Sequence, residues 1–139
     1  MTTLRSATEV VAKWQDAGST PEAALALAQT QAAGLGELLG DAQGWDRLVS
    51  IAQRTVDPWF VTDWPDTFDP LVLVLPLCKT VDWACATCPI GQQQDDRACA
   101  HPEVPVGRLG AAISAGKHHQ AQTEFSVLRL MLRHAATAP

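Results

Sequence analysis

The fold turns on one stretch, Asp69-Pro70-Leu71-Val72-Leu73-Val74-Leu75-Pro76-Leu77-Cys78. Its five central residues, Leu71 to Leu75, are all apolar, and a run that short fits a buried strand or a buried helix equally by periodicity. Two features favour helix. Asp69 can cap, and Pro70 then falls at the first helical position, where a missing N–H costs nothing. No second convincing strand exists to pair with the run, and an isolated strand is not stable in water. The whole chain is then expected to be all-α.

The flanking sequence supports this. Upstream, Ser6-Ala7-Thr8-Glu9 has the form of a capping box, with Ser6 accepting from the Glu9 amide and the Glu9 carboxylate reaching back to the Ser6 amide. Ala7, Val10, Val11 and Trp14 follow at helical spacing, and Gly18 is a natural stop. Thr20-Pro21 starts a second helix, expected to run to about Ala33, where Gly34 and Gly36 break or loosen it. A third spans about Asp41 to Thr55 with Trp45, Leu48, Val49, Ala52 and Val56 on one face, and Asp57-Pro58 ends it. From Trp59 to Pro70 the chain is irregular, and Trp59, Phe60, Trp64 and Phe68 are expected to pack on the helices. Downstream, Pro105 to Ala115 forms a helix capped by Gly116. His118 to Ala136 forms the last one, with Phe125, Leu128, Met131, Leu132 and Ala135 as its apolar stripe.

These segments give one small domain of five or six helices in 139 residues. Residues 1–56 form a helical N-terminal part, 57–77 the Trp/Pro segment and apolar run, 78–104 a cysteine loop, and 105–139 a C-terminal helical hairpin. A chain of this length buries roughly two-thirds of its surface on folding, so it needs no disulfide staples. Met1 to Val10 has no secretory pattern. No apolar run approaches the roughly 20 residues that cross a bilayer. The expected location is the cytoplasm, with no membrane partner, and there four cysteines are not expected to form two structural disulfides.

The net charge is −5 and uneven. Residues 1–77 carry ten acids against four bases, and residues 105–139 carry Glu124 alone against Arg108, Lys117, Arg129 and Arg133. Bulk acidity argues against non-specific nucleic-acid binding. The basic C-terminal helices leave a local footprint, but packing beside the acidic N-terminal half is the simpler account of them. A protein partner is favoured over nucleic acid.

The cysteines carry the chemical signal. Cys78, Cys85, Cys88 and Cys99 fall within 22 residues, in the pattern C-x6-C-x2-C-P-x9-C. A C-x2-C pair turns its two sulfurs toward one metal, and the flanking spacings are long enough to complete four-coordination. Three chemistries compete. A 4Fe–4S cluster takes four thiolates. Structural zinc takes four cysteines, or three with His101 as substitute ligand. A thiol–disulfide oxidoreductase would use Cys85 and Cys88 with Trp83 upstream, but would want a strand entering the motif.

The spacing of Cys78, Cys85, Cys88 and Cys99, with Pro89-Ile90 after the third, resembles the iron–sulfur cluster loop of endonuclease-III-like and adenine-specific DNA glycosylases. In that family the last gap is shorter than the ten residues found here. The resemblance covers about one-sixth of the chain, and no Leu-Pro-Gly-Val-Gly hairpin with a following catalytic Asp accompanies it. It implies a cluster type and not base excision.

Other candidates have simpler accounts. His118 and His119, adjacent at a helix start, point about 100° apart and are expected to be a solvated terminus. His134 suits the C-terminal end of the helix macrodipole. Asp95-Asp96-Arg97 is expected to be a loop tip. Trp59, Trp64 and Trp83 serve as core and cover for the cysteine loop, with an aromatic binding surface as the alternative. No Ser-His-Asp order, phosphate loop, H-E-x-x-H or dinucleotide fingerprint is present, which leads away from an enzyme. The favoured expectation is a non-enzymatic protein with one 4Fe–4S cluster on the four cysteines and a redox- or iron-responsive regulatory role. A structural-zinc adaptor is the alternative.

Overall fold

The computed structural model describes residues 4–55 and 62–137. Among these there are six α-helices and no strand: α1 (Ala7–Asp16), α2 (Pro21–Leu39), α3 (Ala42–Arg54), α4 (Leu75–Thr80), α5 (Pro105–Ser114) and α6 (His118–Thr137). Short 3-10 turns lie at Pro70–Leu73, Cys85–Thr87 and Gly91–Gln94.

The first two helices start at the caps expected for them, and the third starts near Asp41, as expected. The hydroxyl of Ser6 accepts from the Glu9 amide at 3.1 Å and donates to the Glu9 carboxylate at 3.1 Å. Thr20 accepts from the Ala23 amide, and Asp41 from the Gly44 amide at 2.7 Å. Each cap satisfies one of the four unpaired amides of a helix start.

Helix α2 does not stop at Ala33. It continues through Gly34 and Gly36 to Leu39, six residues past the expected end. An interior glycine costs about 1 kcal/mol of helix propensity. Here packing outweighs that cost, because a Cβ on Gly36 would stand 3.2 Å from the Phe125 ring of α6. The missing side chain is what lets the aromatic lie on the helix. Gly34 is buried, as are Ala24, Ala28, Ala32, Leu35 and Leu39. This face of small residues makes α2 the central helix, in contact with α1, α3, α4 and α6. Gln31 is fully buried on it, and its amide holds the Arg5 backbone from both sides, at 2.8 Å to the N–H and 3.0 Å to the carbonyl.

The apolar run resolves as helix of two kinds. Asp69 accepts from the Leu71 amide at 3.0 Å and opens the 3-10 turn, and α4 follows with Pro76 in its first turn. Every residue from Phe68 to Leu77 is buried. Burial on all sides erases amphipathic period, which is why the pattern alone was ambiguous.

Of the Trp/Pro segment, Trp59 and Phe60 lie outside the described residues, as do Val56 and the Asp57-Pro58 stop. The rest is irregular and pinned to the helices. Thr62 accepts from the buried Asp69 amide at 2.6 Å, and its own carbonyl accepts from Ala7 at 2.7 Å. Trp64 meets Phe68 edge-on and lies under the Arg47 guanidinium of α3.

The short link Ala115–Lys117 turns α5 back onto α6, with Gly116 at φ +69. α6 packs on α2, so the basic tail does lie beside the acidic half. The only acid in the tail, Glu124, faces Arg108 at 3.7 Å. His118 departs from expectation. It is half-buried, stacks on Trp45 with ring centroids 4.4 Å apart, and its Nε2 meets the Leu39 carbonyl at 2.6 Å. It ties the start of α6 to the end of α2 and to α3, while His119 is exposed as expected.

Candidate metal centre

The four cysteines come from four successive pieces of chain. Cys78 sits in α4, whose neighbouring Leu75 and Leu77 are buried in the core. The chain then reverses through Asp82 and Trp83, both left-handed at φ 51 and 65, and the Trp83 amide closes onto the Cys78 carbonyl at 2.8 Å. Cys85 opens a 3-10 turn, its thiol donating to the Trp83 carbonyl at 3.8 Å, and Cys88 ends it. Cys99 follows a second left-handed pair, Asp95 and Asp96. Of the five non-glycine residues with positive φ among the described residues, four therefore lie between Cys78 and Cys99. Left-handed backbone costs a residue with a Cβ roughly 1–2 kcal/mol. Such strain persists only where the surroundings fix it, and it gathers at functional sites.

Three anchors fix this loop. Ile90 is fully buried in the core. Gln93 donates to the Met131 carbonyl of α6 at 3.0 Å. Gly91 lies flat on the Cys85 carbonyl, so close that an added Cβ would sit 2.0 Å from that oxygen. The tip Asp95-Asp96-Arg97 is held by Arg97, which meets Glu103 at 3.3 Å.

The loop folds the four cysteines around one cavity of about 60 Å³, with Leu71, Val81, Trp83 and Ala98 among the other walls. Among the described residues, no charged side chain lines it. All four thiols are free; Cys88 and Cys99 are buried, and Cys78 and Cys85 half-buried. Burial pushes the Cys78 thiol up to about 12, helped by charge repulsion from Cys99, Cys88 and Cys85. Cys99 is also pushed up to about 12, mainly by burial; a hydrogen bond from Gln94 opposes the rise, and Cys88 and Cys85 add to it. Four thiolates cannot share such a space without a positive charge among them. A metal supplies that charge and removes the thiol protons as it binds.

The cavity also bears on size. One water needs about 10–15 Å³ of such space, so this cavity admits more than one atom. Among the described residues, no group of three or more His, Cys, Asp or Glu side chains is placed to hold a metal ion as it stands.

His101 does not join the four. Its Nδ1 accepts from the Glu103 amide at 3.0 Å, and it is not part of the cavity wall. Nor does Cys85-Ala86-Thr87-Cys88 open a helix of useful length; it sits on a three-residue 3-10 turn with no strand leading in. The residues that sequence inspection passes over are Gly91 and Gln94. Gln94 is buried, and its Nε2 donates both to the Arg97 carbonyl at 2.7 Å and to the Cys99 Sγ at 3.5 Å. In the sequence it is one of three consecutive glutamines, and nothing marks the third as different.

No family model, no curated protein and no solved structure matches this chain.

Proposed function

We propose that the chain holds one 4Fe–4S cluster on Cys78, Cys85, Cys88 and Cys99 and serves as a redox- or iron-responsive regulatory protein. One observation carries this reading: four thiols from four pieces of chain wall a single cavity that, among the described residues, no charged side chain lines. The resemblance of their spacing to a known cluster loop points the same way, as does the left-handed backbone beside Cys78 and Cys99. When bound, the cluster would supply one-electron redox chemistry. The chain supplies four thiolates, an apolar wall, and a loop whose order depends on them. Trp83, 47% exposed, forms part of the same wall. Loss or oxidation of the centre would therefore reach the surface at Trp83, and a protein partner that reads this face is the natural output.

The test is metal analysis and an absorption spectrum on protein purified without oxygen. A brown solution with about four irons per chain supports the proposal. A colourless protein with about one zinc per chain replaces it with a structural-zinc interaction protein. Neither metal at stoichiometry removes both and returns attention to Cys85 and Cys88 as a thiol pair.

A further inference from the structure

Among the described residues, Gln94 is the buried polar side chain that reaches the cysteine site, at 6% exposure. Its amide can lie only one way round. The Arg97 carbonyl at 2.7 Å demands a donor, which places Nε2 there and leaves Nε2 also 3.5 Å from the Cys99 sulfur. Its Oε1 is buried with no hydrogen-bond partner. A buried unpartnered carbonyl is costly, and a side chain whose only task was packing would not be an amide. The Arg97 Nε in turn donates to the Gln94 backbone carbonyl at 3.3 Å, so the turn that carries Gln94 is held from both ends.

The geometry points to Gln94 as a positioning residue that sets the redox poise of the centre through an N–H···S bond to Cys99. This rests on the cluster reading above and deepens it. Reduction adds negative charge to the cluster and its thiolates, so a fixed donor on a ligand sulfur stabilises the reduced form more than the oxidised one. Hydrogen bonds to the sulfurs are among the features that set cluster potentials. Removing the donor should therefore make the centre harder to reduce. One hydrogen bond to a charged acceptor suggests roughly a tenfold change in the reduction equilibrium. For a one-electron couple that is about 59 mV downward.

The experiment is a potentiometric titration of the iron-loaded full chain, wild type against Gln94→Met, with iron per chain and helical circular dichroism recorded on the same samples. Gln94→Met keeps length and volume and removes the donor. The expected result is full iron content, an unchanged helical spectrum and a potential lower by about 59 mV. Equal potentials at equal iron content overturn the inference and leave the cluster reading intact. An iron-free wild type overturns both. Should Gln94→Met fail to fold, Gln94→Glu provides the same test. It keeps the shape, and its potential should fall further as the introduced carboxyl loses its proton. A potential equal to wild type at every pH overturns the inference.

Discussion

Replacing Gly91 by alanine should unseat the cysteine loop while leaving the helical body folded. The new Cβ would stand 2.0 Å from the Cys85 carbonyl oxygen and 2.8 Å from its carbon, where real Cβ contacts essentially never fall below 3.0 Å. Both obstacles are backbone, so no side chain can swing aside. The two 3-10 turns must part by at least about 1 Å to relieve the oxygen contact alone, judged from those same separations. Overpacking of this kind costs typically about 1–3 kcal/mol. In a domain of this size that lowers Tm by roughly 5–10 °C. The larger effect falls on the site, because Cys85 and Cys88 move relative to Cys99. Metal affinity should drop by about 10–100-fold, the usual result of disturbing the support of a ligand shell. The assay is iron retained per chain against a graded chelator, with far-UV circular dichroism to show that the helices persist. Gly40→Ala is the control. Its Cβ would be no nearer than 3.4 Å to any atom, at the end of α2, and the φ of −86 there suits any residue. That substitution should be neutral or stabilising by up to about 1 kcal/mol. Wild-type iron retention and Tm in Gly91→Ala would refute the close approach on which the site is built.

Three further outcomes are expected. His118→Ala should cost about 1–2 kcal/mol in a denaturant melt, since it loses both the Trp45 stack and the bond to the Leu39 carbonyl, while exposed His119→Ala should stay within about 0.5 kcal/mol of wild type. Gln31→Leu should cost about 2–3 kcal/mol, because it leaves the Arg5 amide and carbonyl without their partners, and equal stability would show that water replaces both bonds. Metal-free protein should lose stability as pH rises from about 9 toward 12. Cys78 and Cys99 keep their protons in the fold up to about 12 but release them near 9.0 when unfolded, so the unfolded state binds fewer protons in that window. The loss is at most about 1.4 kcal/mol per pH unit for each thiol, and a urea midpoint as high at pH 10 as at pH 8 would contradict it.

Much of this was legible in the chain. The caps at Ser6 and Thr20 are local chemistry, and local chemistry is written in adjacent residues. The stripe on α6 is periodic because only one side of that helix is buried. The spacing of the four cysteines grouped them, and the fold brings all four to one cavity. What failed was whatever depended on a neighbour distant in sequence. Gly34 and Gly36 read as a break or a loosening because propensity counts their cost and not the Phe125 ring that needs the space at Gly36. His118 read as a solvated end because its partners, Leu39 and Trp45, are more than seventy residues away. The sequence by itself therefore determined which helices form and which residues supply the thiols. Only the tertiary structure decided that Gly91 closes the loop, that His101 stays outside it, and that Gln94, alone of three glutamines, donates to a cysteine sulfur. Each of these is a through-space approach, the two hydrogen bonds at 3.0 and 3.5 Å, made by turns with no periodicity to betray them.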